Sequence, residues 1–236
     1  MNNHIIDYGG SKISYFLLKK NRRTMQISVL PDCTVEVIAP WNVTAEQIGA
    51  KMKKRAPWIL KQIGFFKDFP IPLKPRNYIS GETHRYLGKQ YRLKVTEGQK
   101  ECVQLKGGYI YIFCRDKEDT ECRKSLLERW YRTHAKEKFL EYVNEYVNKL
   151  QKYGIPLPTV KLKSMRTQWG SCLSKKQLIQ LNPLLIKVSP YCIEYVIYHE
   201  LCHLKFAYHD KKYYEFLTKV MPDWKARKNN LEHAEV

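Results

Sequence analysis

The sequence predicts an α+β protein, with a β-rich N-terminal region carrying a helical insert over residues 1–118 and a helix-rich region over residues 119–236. Three observations predict it. Before residue 118, short runs of alternating apolar and polar residues are separated by turn residues. After it, longer stretches repeat their apolar residues at helical spacing. Hydrophobic residues make up 44% of the 236 positions and aromatics 13%, enough for the core of one large domain or two small ones.

Between residues 4 and 40 the runs ISYFLL, MQISVL and TVEVIAP alternate in the strand manner, and the turn signals between them suggest a three-stranded antiparallel meander. The period then changes. Thr44 and Gln47 stand at capping-box spacing before a helical pattern. Pro57 is expected to end that helix near Arg55 and to open a second one, because proline fits a first turn but not a helix interior. FPIPLKP, at residues 69–75, reads as a proline-rich connector. HRYLGKQYRLKV and CVQLKGGYIYIF follow as further hairpin strands around glycine-bearing turns.

A long helix is expected over residues 120–154, with apolar positions at Leu126, Leu127, Trp130, Phe139, Val143, Tyr146, Val147 and Leu150 and a stop at Gly154. His134 within it reads as a packing or surface residue. TVKLKSMRTQWGSC and KQLIQLNPLLI read as two strands, a helix begins at Pro190, and KKYYEFLTKVM forms a last helix closed by Pro222. No internal repeat is visible.

Lys and Arg number 42 against 23 Asp and Glu, a formal charge of +19, so an anionic partner such as a nucleotide or nucleic acid is a natural expectation beside simple solubility. Seven cysteines without a C-x-x-C pair argue against a disulfide framework and against a cysteine-based zinc finger. No leader pattern opens the chain and no run of about 18 apolar residues interrupts it, so a cytoplasmic protein without a membrane span is expected.

The chemistry concentrates in YHELCHLKFAYHDKKYYEFL, residues 198–217. On a helix the i, i+4 spacing of His199 and His203 places both imidazoles on one face, as two nitrogen ligands of a tetrahedral zinc require. Glu200 lies about 100° round from His199, where its carboxylate can reach a water at the metal and act as general base. Ile193, Ile197, Leu201 and Leu204 form the stripe that would bury the back of this helix. Cys202 reads as a small buried residue. Imidazole sites also accept other first-row ions, although zinc is the expected cofactor.

Catalytic zinc usually takes three protein ligands. His209 is the leading third, reached if the helix ends around Phe206 or Ala207 and the chain turns back. Phe206 stands where the metzincin pattern has a glycine, which argues against a true metzincin. Glu215, Asp223 and Glu232 are the competing carboxylate ligands. Tyr191, Tyr195, Tyr198, Tyr208 and Tyr213 surround the motif and read first as packing residues.

RTQWGSC (166–172), LNPLLIKVSP and IEYVIYHELCHLKFAYHDKKYYEFL together resemble the YgjP-like metallopeptidase family, metal-dependent hydrolases related to the SprT-like zinc proteases. The resemblance extends upstream through RAPWILKQI and YISGETHRYLGKQYRLKV. It implies a zincin-like catalytic half over 119–236, zinc on His199, His203 and His209, and Glu200 as catalytic base. Two departures are local: the family's Asn-His-Ser reads Tyr208-His209-Asp210 here, and its Phe-Trp pair reads Tyr213-Tyr214. For MRTQWGSC the resemblance implies an element near the catalytic helix, an edge strand able to take an extended peptide. Arg166 there is a candidate for stabilising an oxyanion or holding an anionic substrate group. Trp169 reads as a core residue and Gly170 as the mark of a bulge.

The leading expectation is a zinc metallopeptidase acting on a peptide or protein. A metal-dependent phosphohydrolase acting on nucleotides is an alternative that the basic charge favours and the missing glycine-rich phosphate loop does not. A SprT-like protease associated with nucleic acid is another, marked by binding that falls steeply with salt.

Overall fold

The computed structural model describes residues 2–30, 32–68, 76–165 and 167–234. It is a mixed α+β fold in two compact units, residues 1–75 and 76–236. The division expected at residue 118 falls inside the second unit, and the proline-rich connector at 69–75 lies outside the described residues.

In the first unit β1 (Asn2–Tyr8), β2 (Ser11–Lys20), β3 (Gln26–Val29) and β4 (Val35–Pro40) form a sheet in the order β1-β2-β4-β3. The β2–β4 pair is parallel and the two outer pairs are antiparallel, so the expected meander is replaced by a four-stranded sheet with a crossover. The extra strand, β1, was hidden because its apolar pair is split: Ile6 is buried while Ile5 is 59% exposed. Its hairpin closes through Gly9-Gly10, both at positive φ, which suits the twist of a two-residue turn.

Helix α1 (Ala45–Asp68) begins with the expected capping box: Thr44 N donates to Gln47 Oε1 at 3.1 Å and Gln47 N to Thr44 Oγ1 at 3.3 Å. Pro57 does not divide it. The buried residues Ile48, Met52, Ala56 and Ile59 keep one helical phase across the proline, and Pro57 itself faces solvent, where the carbonyl it leaves unpaired can be hydrated. Packing of the stripe against Val35, Val37 and Ala39 overrides the local break.

In the second unit β5 (Thr83–Tyr86), β6 (Lys89–Glu97), β7 (Cys102–Lys106) and β8 (Tyr109–Cys114) repeat the first topology, in the order β5-β6-β8-β7 with β6 and β8 parallel. Both expected hairpins form. A helix follows this sheet as one follows the first, so a structural repeat exists where the sequence displays none. That helix, α2 (Thr120–Leu150), is capped by Asp119 and buries every apolar position anticipated for it. A short 3-10 turn follows, and Gly154 ends it at φ 74°. Leu93, Ile110 and Ile112 on the inner face of the sheet share a core with Leu127, Phe139 and the helix that bears the histidines.

The third sheet is built from β9 (Thr159–Leu162), β10 (Gly170–Leu173) and β11 (Leu178–Leu181), in the order β10-β11-β9. TVKLKSMRTQWGSC therefore contributes to two strands and not one. LNPLLI leaves the strand as soon as Pro183 removes a ladder donor, and continues as a 3-10 turn, Pro183–Lys187. Helices α3 (Pro190–Cys202), α4 (Lys211–Val220) and α5 (Trp224–Glu232) complete the unit, α5 being unanticipated beyond Pro222. Among the described residues no helix is long and apolar enough to cross a membrane.

The tip of the β5–β6 hairpin positions α3. Leu87 N donates to Ile186 O at 2.8 Å and Gly88 N to Lys187 O at 3.1 Å, holding the segment that leads into the helix. Only glycine fits at 88: its φ is 78°, and a Cβ there would stand 2.8 Å from the Cα of Ser189, the N-cap of α3.

Candidate metal centre

Ser189 caps α3 by accepting from Cys192 N, and Pro190 supplies the preset φ of a first turn. Ile193, Ile197 and Leu201 are fully buried, as the apolar stripe requires, and Leu204 packs partly buried against the same core. The helix ends at Cys202, earlier than expected. His203 is its C-cap but keeps right-handed helical torsions, φ −69° and ψ −17°, so the two histidines retain their common face.

Three Nε2 atoms converge here. His209 Nε2 lies 3.0 Å from His199 Nε2 and 3.0 Å from His203 Nε2. Ligands about 2.05 Å from a tetrahedral zinc stand about 3.3 Å from one another, so the spacing suits an ion. The hydrogen bonds behind the rings argue the same way. His203 Nδ1 lies 2.9 Å from Phe206 O, a carbonyl that can only accept, so Nδ1 carries the proton and Nε2 presents a lone pair. Tyr213 Oη donates to His199 O at 3.1 Å and is left to accept from His199 Nδ1 at 2.7 Å, which gives His199 the same tautomer. One proton on His209 cannot satisfy both lone pairs; a cation can. The residues present therefore fit a metal ion, with the outer hydrogen bonds that orient such ligands.

The turn from His203 to His209 needs no left-handed residue. None of residues 204–208 has positive φ, so Phe206 and Tyr208 are compatible with the bend, and the carbonyl of Phe206 serves as the orienting acceptor. Asp210 then caps α4 by accepting from Tyr213 N at 2.9 Å. That cap fixes the start of the helix that delivers the fully buried Tyr213 to His199.

The carboxylates weighed as a third ligand lie elsewhere. Glu215 pairs with Lys211, Asp223 accepts from Tyr191 Oη and Arg227, and Glu232 pairs with Lys228. Tyr198 packs against Tyr146 with tilted rings, Tyr195 is buried beside His199, and Tyr208 is exposed. Cys202 is buried, and burial pushes its thiol up to about 12. Arg166 lies outside the described residues.

Burial dominates the electrostatics. It pulls His199 down to about 3, helped by the neighbouring imidazoles, and it lowers His209 as well, so these rings are neutral over most of the pH range. Glu200, only 5% exposed, is pushed up to about 8 by the same loss of water. Cys172 on β10 is raised to about 12, first by burial and then by the charge of Glu200.

β10 is an edge strand lying against α3, and its register with β11 runs unbroken from Gly170↔Leu181 to Leu173↔Leu178. The bulge expected at Gly170 is absent. Glycine is required there for a different reason: a Cβ would stand 2.7 Å from Glu200 Oε1 and 2.9 Å from its Cγ. Trp169 is partly buried against the core, as expected. Sequence reasoning read one residue of the site too modestly and missed another. Tyr213, read first as a packing residue, is the hydrogen-bond partner of His199, on the helix that follows His209. Asn182, 3% exposed, donates to Met165 O at 2.8 Å and Gln168 O at 3.2 Å while accepting from Leu184 N, so it clamps the loop before β10.

The family profile described as YgjP-like, metallopeptidase domain matches residues 23–234. No curated protein matches the chain. Among solved structures, the metallopeptidase zymogen of Pyrococcus abyssi abylysin is 21% identical, with 40% of this chain and 90% of that chain covered and a TM-score of 0.34.

Proposed function

The chain belongs to the YgjP-like metallopeptidase family, and from that premise we propose that it is a zinc-dependent peptidase in which His199, His203 and His209 hold the ion and Glu200 is the general base. The observation that carries the proposal is the convergence of three imidazole Nε2 atoms beside a carboxylate buried on the same helix. Three imidazoles that present Nε2 to one point match a catalytic zinc site with three protein ligands. When bound, the ion supplies Lewis-acid chemistry, lowering the pKa of water and polarising the scissile carbonyl.

Glu200 takes the proton of the attacking water and returns it to the leaving amine. Its burial supports that role, because a carboxyl raised to about 8 holds a proton far more readily than an exposed one. A cation beside it favours the ionised form from which a base must start. Gly170 and the edge of β10 leave room for the carboxylate and offer backbone groups to an extended peptide, which can add as a further strand. On this reading residues 119–236 are a zincin-like catalytic half. Arg166 is retained, from sequence alone, as the group that meets developing negative charge.

A side-by-side rate measurement with short peptides, an unfolded protein and nucleoside triphosphates, on chelator-stripped and zinc-reloaded protein, tests the assignment. Peptide-bond cleavage restored by zinc supports it. Hydrolysis confined to triphosphates would replace it with phosphoryl chemistry.

A further inference from the structure

The outward face of the β5–β8 sheet has no role in the metal centre, and its composition is unusual. Residues alternate strictly along β8: Ile110, Ile112 and Cys114 are buried toward α2, while Tyr109, Tyr111 and Phe113 face outward and remain partly exposed. Ring centroids of Tyr109 and Tyr111 are 6.0 Å apart, and those of Tyr111 and Phe113 are 6.2 Å apart with the last two rings nearly parallel. Register places Arg92 and Lys94 of β6 on one side of this aromatic row and Lys106 and Gln104 of β7 on the other. Lys94 Nζ sits 4.0 Å over the ring of Tyr109 and 5.5 Å from that of Tyr111. None of the outward positions of β6, β7 and β8 is a carboxylate.

The first sheet supplies an internal control, because its topology is the same and its outward face is not. There Phe16 pairs with Glu36 and Leu18 with Ile38, so the central strands carry no row of rings, and the cations on that face of β2, Lys12 and Lys20, stand at its two ends. The feature belongs to the side chains, not to the fold.

We propose that the outward face of the β5–β8 sheet binds single-stranded nucleic acid, with bases stacking on Tyr109, Tyr111 and Phe113 and phosphates held by Arg92, Lys94 and Lys106. Flat rings flanked by cations match the two halves of a nucleotide, the base and the phosphate. The ring spacing selects single strands. Bases in a duplex rise about 3.4 Å per step and are closed to side chains by pairing, whereas rings about 6 Å apart engage bases splayed one by one. An acidic peptide would satisfy the cations and leave the row of rings without a partner. The proposal does not depend on the peptidase reading.

Fluorescence anisotropy of labelled oligothymidylate and oligouridylate of about 16 nucleotides, long enough for such a platform, tests it on the full chain. Single strands are expected to bind more tightly than a duplex of the same length and than poly-glutamate. Tyr109→Ala and Tyr111→Ala are each expected to weaken binding by roughly tenfold or more, while Tyr109→Phe and Tyr111→Phe retain it, which separates stacking from loss of fold. Arg92→Gln with Lys94→Gln is expected to flatten the slope of log affinity against log salt by about 0.7 for each phosphate no longer neutralised. Absence of binding at low salt would overturn the proposal. So would tighter binding of poly-glutamate or of the duplex, or single-strand binding that is indifferent to both alanine substitutions.

Discussion

Gly170 and Glu200 stand so close that the glycine's missing Cβ would lie 2.7 Å from Glu200 Oε1. This close approach joins the edge strand β10 to the helix that carries His199, and it gives the glycine a purpose that strand geometry does not. Gly170→Ala is therefore expected to displace the carboxylate while leaving the three imidazoles in place. A misplacement of about 1 Å costs on the order of 100-fold in kcat. Metal content measured beside kcat checks it: metal retained with kcat lowered about 100-fold is the expected pair, and unchanged activity would contradict the close approach.

Tyr213→Phe keeps the buried ring and removes the hydroxyl that accepts from His199 Nδ1. Loss of such an outer partner typically weakens metal affinity 10- to 100-fold. Zinc affinity by competition with a chelating dye reads this directly, and the far-ultraviolet circular dichroism spectrum should not change.

Asn182→Ala removes two donors from the carbonyls of Met165 and Gln168 and one acceptor from Leu184 N. The cost expected is about 2 kcal/mol, since three part-buried hydrogen bonds are lost together. Denaturant unfolding measures it, and faster proteolysis within residues 163–169 should accompany it.

His84 provides a pH test away from the metal. Burial pulls it down to about 4, with Arg76 adding to the effect against the opposing pull of Glu82, so the folded ring is neutral and its Nε2–H donates to Glu82 at 3.1 Å. The unfolded chain binds this proton near the ordinary value of 6.5, so between pH 6.5 and about 4 it holds more protons than the folded one. Stability is fully present above 6.5 and falls as pH drops through that window, by up to about 3 kcal/mol. In His84→Gln the loss of stability between about pH 7 and pH 4.5 should be smaller by a comparable amount.

The fold and the site were legible to different depths. The common face of His199 and His203, the carboxylate of Glu200 between them and the stripe behind them follow from helical periodicity, a local property. The long helix α2 was readable for the same reason. What sequence hid was non-local. β1 earns its place only by pairing with β2, the parallel β2–β4 and β6–β8 pairs leave no mark on adjacent residues, and α1 continues through Pro57 because its core stripe stays in phase. Gly170 stands out in the sequence but its purpose does not, because a glycine in a strand looks alike whether it makes room for a bulge or for a carboxylate.

Zinc content and peptide hydrolysis of Glu200→Gln beside the wild-type protein test the central claim most directly. The account predicts about one zinc per chain in both proteins, with hydrolysis abolished in the variant. A variant that keeps the wild-type rate, or a wild-type protein that binds no transition metal, would contradict it.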